Sequence, residues 1–143
     1  MSVEIAYADT NPYRDWFEWR TGKRPYINQA EDAKEFFSRV EAGEFILAVS
    51  DHLDYQLKGF PQYDALKKNL GGKGLLVSVN ATSQDKAVAD MEASSNNTSF
   101  DDALHFVMAL KAGATWLVTQ NEMDFAPFRD RIKVRQPRLV GLF

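Results

Sequence analysis

The 143-residue chain contains no cysteine, which excludes disulfides, thiolate zinc sites, iron–sulfur clusters and cysteine nucleophiles together. It lacks any apolar run approaching the roughly 18 residues of a membrane span. Its first residues, MSVEIAYADTNPYRDW, lack the charged start and apolar middle of a secretory leader, so the expectation is a cytoplasmic protein with no membrane partner. Charge of neither sign dominates: 17 Lys plus Arg stand against 20 Asp plus Glu, a net charge of −3. Bulk positive charge therefore cannot grip nucleic acid, and only a local basic patch would do so. A glycine-rich phosphate loop is also missing. Gly71-Gly72-Lys73-Gly74 precedes an apolar run instead of joining a strand to a helix, which argues against nucleotide-dependent kinases and dehydrogenases. With no low-complexity linker and no internal repeat, residues 1–143 read as a single domain.

What is present is alternation. Short apolar runs at Val3–Ala8, Phe45–Val49, Leu75–Val79, Thr115–Thr119 and Ile132–Val134 are separated by helical patterns. Asn11-Pro12 supplies a cap and a first-turn proline, and Asn28 with Glu31 has capping-box spacing. Ser50 caps a helix running to about Phe60, where Pro61 interrupts it. Gln84 to Ser94 reads as helical. Ser99 and Asp102 open the clearest helix, whose stripe of Phe100, Ala103, Phe106, Val107 and Leu110 ends at Gly113. Runs apolar on both faces suit a parallel sheet covered by helices. The predicted fold is a three-layer α/β/α sandwich around a parallel sheet of four to five strands.

In such a sheet, ligands bind beyond the carboxyl ends of the strands. Acids fall there in four segments: Asp9 after the first run, Asp51 and Asp54 after the second, Asp101 and Asp102 before the fourth, and Glu122 and Asp124 with Asn121 after it. Converging carboxylates repel unless a cation intervenes, and oxygen ligands without Cys or paired His favour Mg²⁺ or Mn²⁺ over zinc. The chemistry this implies is metal-assisted hydrolysis of a phosphodiester.

The segments YADTNPYRDWF, SFDDALHFVMALKAGATWLVTQNEMDF and KVRQP resemble the PIN domain, a family of mostly metal-dependent ribonucleases that includes the VapC-type toxins. The resemblance spans nearly the whole chain. It implies an endoribonuclease leaving a 5′-phosphate and a 3′-hydroxyl, with RNA as substrate, Mg²⁺ or Mn²⁺ as cofactor, a small antitoxin partner and a homodimeric state. Carried over by position, Asp9 is the first metal-binding acid and Asp102 the third. The second, usually Glu, corresponds to Asp54, with Asp51 as a rival. The fourth position holds Asn121, and Asp124 stands close enough to substitute. Thr10 and Thr119 match hydroxyls near metal or substrate, and Arg14 lies beside the first acid as a substrate contact. A second reading, a PIN-like RNA-binding or regulatory module with impaired catalysis, follows from Asp54 in place of Glu and Asn121 in place of Asp. A third is a phosphatase or other small-molecule hydrolase.

Each residue also has a structural use. Asp9, Asn121 and Asp124 suit turns, Asp102 suits a helix cap, and Asp101 suits a solvated neighbour of that cap. His105 is expected to pack in the core, while His52 belongs to no pattern. Trp16, Phe17 and Trp19 with Arg14 and Arg20 stack RNA bases in one reading and pack a core or dimer face in the other. Leu142 and Phe143 are further interface candidates. Arg129, Arg131, Lys133, Arg135 and Arg138 either track phosphates or protect an exposed edge strand.

Overall fold

A computed structural model describes residues 3–22 and 28–142; Phe143 lies outside them. Five parallel strands, β1 (Ile5–Ala8), β2 (Ile46–Ser50), β3 (Leu76–Val79), β4 (Trp116–Val118) and β5 (Lys133–Arg135), form one sheet in the order β3-β2-β1-β4-β5. Parallel neighbours need crossovers long enough to return the chain. Helices α1 (Thr10–Phe17) and α2 (Gln29–Glu41) carry it from β1 to β2, α3 (Asp51–Gln56) and α4 (Pro61–Gly72) from β2 to β3, and α5 (Ser83–Asn96) and α6 (Phe100–Lys111) from β3 to β4. The expected α/β sandwich is present, with the larger of the two predicted strand numbers. Strand order reverses at β1, which makes the crevice between the carboxyl ends of β1 and β4 the topological switch point.

Burial follows the apolar runs. Ala6, Tyr7 and Ala8 of the central strand are fully buried, as a strand covered on both faces must be. Tyr13 of α1 packs on Phe37 of α2 with ring centroids 4.7 Å apart and meets Tyr63 of α4 edge-on at 5.4 Å. Trp16 stacks on Phe37 at 5.2 Å, so it serves the core. Trp19, at 46% exposure, remains at the surface. On the other side of the sheet Phe106 stacks on Phe128 at 4.1 Å. No helix among the described residues is long and apolar enough to cross a membrane.

Three element boundaries differ from the sequence reading. Helix α1 begins at Thr10 with Asp9 as its cap residue, two residues earlier than Asn11-Pro12 implied, because β1 hands over to it directly. The helix after Ser50 ends at Gln56 instead of near Phe60. Pro61 is the first residue of α4, and it forces Phe60 into an extended conformation (φ −112°, ψ 103°) that no helix can pass through. Residues Glu122–Phe128, read only as a turn, wind into a 3₁₀ segment.

Candidate functional site

Register places the site. Ala8 of β1 faces Val118 of β4, so the next residues, Asp9 and Thr119, emerge side by side at the carboxyl ends. The Thr119 hydroxyl donates to Asp9 Oδ2 at 3.0 Å and accepts from the Asn121 backbone N–H at 3.1 Å. Thr119 is completely buried, and its hydroxyl, bonded to Asp9 and to the Asn121 backbone, acts on Asp9. Asp9 caps α1 by position, but its carboxylate makes no side-chain cap bond. Its Oδ1 is buried and has no hydrogen-bond partner. Burial pushes the Asp9 carboxyl up to about 8, opposed by the Thr119 bond and reinforced by Asp102, Asp101 and Asp15.

Three further acids, Asp101, Asp102 and Asp124, line with Asp9 a cleft of about 370 Å³. Asp102 stands in the first turn of α6, where the Ser99 hydroxyl accepts its backbone N–H at 3.0 Å. Its carboxyl is raised by burial first, against the Ser99 bond, and then by Asp124 and Asp101. Asp124 projects from the 3₁₀ segment after β4, and the Asn121 side-chain amide donates to its Oδ2 at 2.7 Å. Asn121 itself does not line the cleft; it orients Asp124.

The second acid did not arrive where the sequence pointed. Asp54 is outside the cleft lining; its Oδ1 accepts from Tyr63 at 2.7 Å and from Lys67 at 3.0 Å, both on α4. Asp51 is spent on backbone, accepting from His52 N and Ala81 N at 3.0 Å each. From α3 it is Gln56, a neutral residue, that reaches the cleft. Its Nε2 donates to Asp101 Oδ1 at 2.6 Å, which turns its Oε1 toward the Thr10 hydroxyl and toward His105 Nε2 at 3.0 Å. With a proton on Nε2, His105 Nδ1 accepts from Tyr7 OH at 2.8 Å, and Tyr7 is in turn 2.8 Å from Ser50 Oγ. His105 is therefore buried as expected, yet it also lines the cleft. Burial lowers its imidazole to about 3, with His52 adding to the fall and Asp101 opposing it. His52 and Asp101, for which no role was expected, are joined at 2.5 Å. That bond holds the Asp101 carboxyl below its ordinary value.

Arg14 forms part of the cleft wall. Its NH2 reaches Glu18 at 3.1 Å, while its Nε is buried without a partner. Thr10, also lining the cleft, donates to Gln56. Part of the basic stretch lies elsewhere: Arg129, Arg131 and Lys133 surround a hollow with Ala114 and Thr115, at the amino ends of β4 and β5, whereas Arg135 closes β5 at its carboxyl end, where its carbonyl accepts the Thr119 backbone N–H, and Arg138 follows in the next 3₁₀ turn. Arg131 is bound to Glu92 at 2.5 Å and lies over the Phe106 ring. Lys133 lies over Trp116.

A buried carboxylate oxygen without a donor costs free energy unless it is protonated or meets a cation. Asp9 Oδ1, with Asp102 and Asp124 lining the same cleft, provides the donor set that a hard divalent ion takes. The residues fit such an ion. The fold is similar to that of a chain in a toxin–antitoxin complex from Klebsiella pneumoniae, with a TM-score of 0.60 and 22% sequence identity over 92% of this chain and 97% of that one. It is also similar to a chain of VapBC2 from Rickettsia felis, solved bound to a DNA fragment from its promoter, with a TM-score of 0.52 and 13% identity over the same shares. No protein-family model matches the chain, and no curated protein matches it. At these identities the likeness establishes the shared α/β fold.

Proposed function

We propose that the protein is a Mg²⁺- or Mn²⁺-dependent endoribonuclease of the cytoplasm, the toxin of a toxin–antitoxin pair. One observation carries the reading: the buried, unpartnered Oδ1 of Asp9 stands at the switch point of the sheet with Asp102 and Asp124 lining the same cleft. Asp9, Asp102 and Asp124 hold the ion. A bound divalent cation supplies Lewis-acid activation of water and neutralises charge that develops at phosphorus.

The other side chains position and exclude. Thr119 fixes Asp9 Oδ2 so that the carboxylate has one orientation, and Asn121 does the same for Asp124. Arg14 lines the cleft with its side chain partly exposed, and its guanidinium takes a phosphate oxygen of the RNA, an interaction strengthened by the charge on both partners. Gln56 and His105 brace Thr10 and Asp101 around the cleft mouth. An antitoxin segment bringing a cationic side chain would complement the same three acids. Trp19 and Leu142, exposed at 46% and 49%, are the remaining candidates for a homodimer face.

The test is cleavage of a mixed-sequence single-stranded RNA with Mg²⁺, Mn²⁺ or EDTA. Wild type is expected to cut only with metal, and Asp9→Asn and Asp102→Asn to lose turnover. A second reading is favoured by Gln56, the one α3 residue lining the cleft, where Asp51 and Asp54 do not reach: a PIN-like module that binds RNA without turnover. Folded wild-type protein that binds RNA in a gel-shift experiment and leaves it intact at every metal concentration would select that reading.

A further inference from the structure

Sharing the cleft of Asp9, Asp102 and Asp124 through Asp101 and His105 lies a group of different chemistry. His52 sits in the first turn of α3, and Asp101 and His105 are one turn apart on α6. His52 Nε2 is 2.5 Å from Asp101 Oδ1, and His105 Nε2 is 4.0 Å from Asp101 Oδ2. The two imidazole rings lie 4.7 Å apart, and one ligand atom from each of the three residues falls within 4.8 Å of the others. We propose that His52, Asp101 and His105 form a second cation site, selective for a borderline transition-metal ion such as Zn²⁺. The site is independent of the nuclease reading, since it needs only these three side chains.

Donor chemistry gives the selectivity. Two imidazoles and one carboxylate suit zinc, cobalt and nickel, whereas Mg²⁺ and Mn²⁺ prefer the all-oxygen set around Asp9. The surroundings also match what imidazole ligands require. A ligating histidine is oriented by a hydrogen bond to its other ring nitrogen, and buried His105 has that bond from Nδ1 to Tyr7, backed by Ser50. When Nε2 binds an ion, the ring keeps one proton, now on Nδ1. Tyr7 then accepts it and turns its own hydroxyl toward Ser50, a reversal that two hydroxyls permit. Gln56 must release His105 Nε2 and Asp101. Ligand atoms bound at ~2.0–2.1 Å to a tetrahedral ion stand about 3.3 Å apart, so the His52–Asp101 contact opens slightly and the His105–Asp101 gap closes. Asp101, with half its side chain exposed, has room for this adjustment. Because Gln56 lines the cleft, filling the site also reshapes the cleft wall.

The experiment is titration of the full chain with Co²⁺ alone, read by visible absorption, and with Zn²⁺ alone, read by calorimetry. Both are run on wild type, His52→Ala, Asp101→Asn and Asp9→Asn. Wild type is expected to bind one equivalent that excess Mg²⁺ does not displace. Affinity should fall at least about tenfold in His52→Ala and Asp101→Asn, the scale of losing a group that holds the metal, and stay unchanged in Asp9→Asn. Circular dichroism identifies any variant that fails to fold, and partly exposed His52 gives the safer substitution. Unaltered affinity in folded His52→Ala, loss of binding in Asp9→Asn, or no saturable binding by wild type would each overturn the site.

Discussion

Asp9 sets a pH dependence of its own. Its carboxyl is raised from 3.8 to about 8, so between those values the folded chain holds a proton that the unfolded chain has released, and folding stability falls as pH rises. His105 works oppositely. Lowered from 6.5 to about 3, it leaves the folded chain with fewer protons than the unfolded one, so stability rises with pH across that range. The two trends offset below pH 6.5, which leaves the span from 6.5 to 8 to Asp9. In EDTA, chemical denaturation should show wild type losing about 1–2 kcal/mol across that span, at ~1.4 kcal/mol per pH unit as the limit for one proton. Asp9→Asn should be flat there, and saturating Mg²⁺ should remove the wild-type loss by pairing the charge. A wild-type profile without slope in EDTA would mean that the carboxyl is already satisfied. Asp9 and Asp102 were legible because each stands where a strand or helix end is visible in the sequence. Gln56 was not, for an amide carries no charge signature. Residues two apart on a helix point about 200° away from each other, so an element beginning at Asp51 that aims Gln56 at the cleft turns Asp54 toward α4.

The elements are held in place by their caps, and here the sequence was most readable. Asn28, Ser50 and Ser99 each accept the backbone N–H three residues on, as their spacing implied. Among the described helices only Thr82 with Asp85 closes a reciprocal box; it completes α5 and was not recognised, because its polar residues resemble an ordinary loop. The start of α1 was misplaced since Asn11-Pro12 is the stronger local signal, while the true start is dictated by β1 pairing with β4. Ser50 does more than cap: buried, it also binds Tyr7, and through Tyr7 it steadies His105. Replacing the exposed-type cap in Ser99→Ala should cost about 1 kcal/mol. Ser50→Ala should cost more, about 2–3 kcal/mol, because Tyr7 OH loses a buried partner as well as the cap being lost. Urea unfolding of the two variants compares them directly, and an equal or smaller loss in Ser50→Ala would show that Tyr7 and His105 do not depend on it.

At the scale of the molecule, charge is divided between the two ends of the sheet. The acids gather beyond the carboxyl ends, and the run from Arg129 to Lys133 lies at the amino ends of β4 and β5. Alternating charge near the C-terminus signalled an edge strand, and β5 is one; which end of the sheet it serves depends on a strand order that no local pattern contains. Counting cations along the chain thus joined residues that the topology separates, Arg129 to Lys133 at the amino end of β5 and Arg135 at its carboxyl end. Lys133 covers Trp116 instead, and Arg131 is tied to Glu92. Edge cations of this kind block strand-to-strand association. RNA reaching the acids meets Arg14 in the cleft wall, where its side chain is partly exposed. Arg14→Ala should lower cleavage about 10- to 100-fold, the rate equivalent of the ~1.5–3 kcal/mol that a hydrogen bond to a charged group contributes. The paired change Arg129→Ala with Lys133→Ala should leave the cleavage rate near wild type and instead increase self-association measured by sedimentation. If the edge pair slowed cleavage as much as Arg14→Ala while the protein stayed monodisperse, the substrate would have to wrap from one end of the sheet to the other.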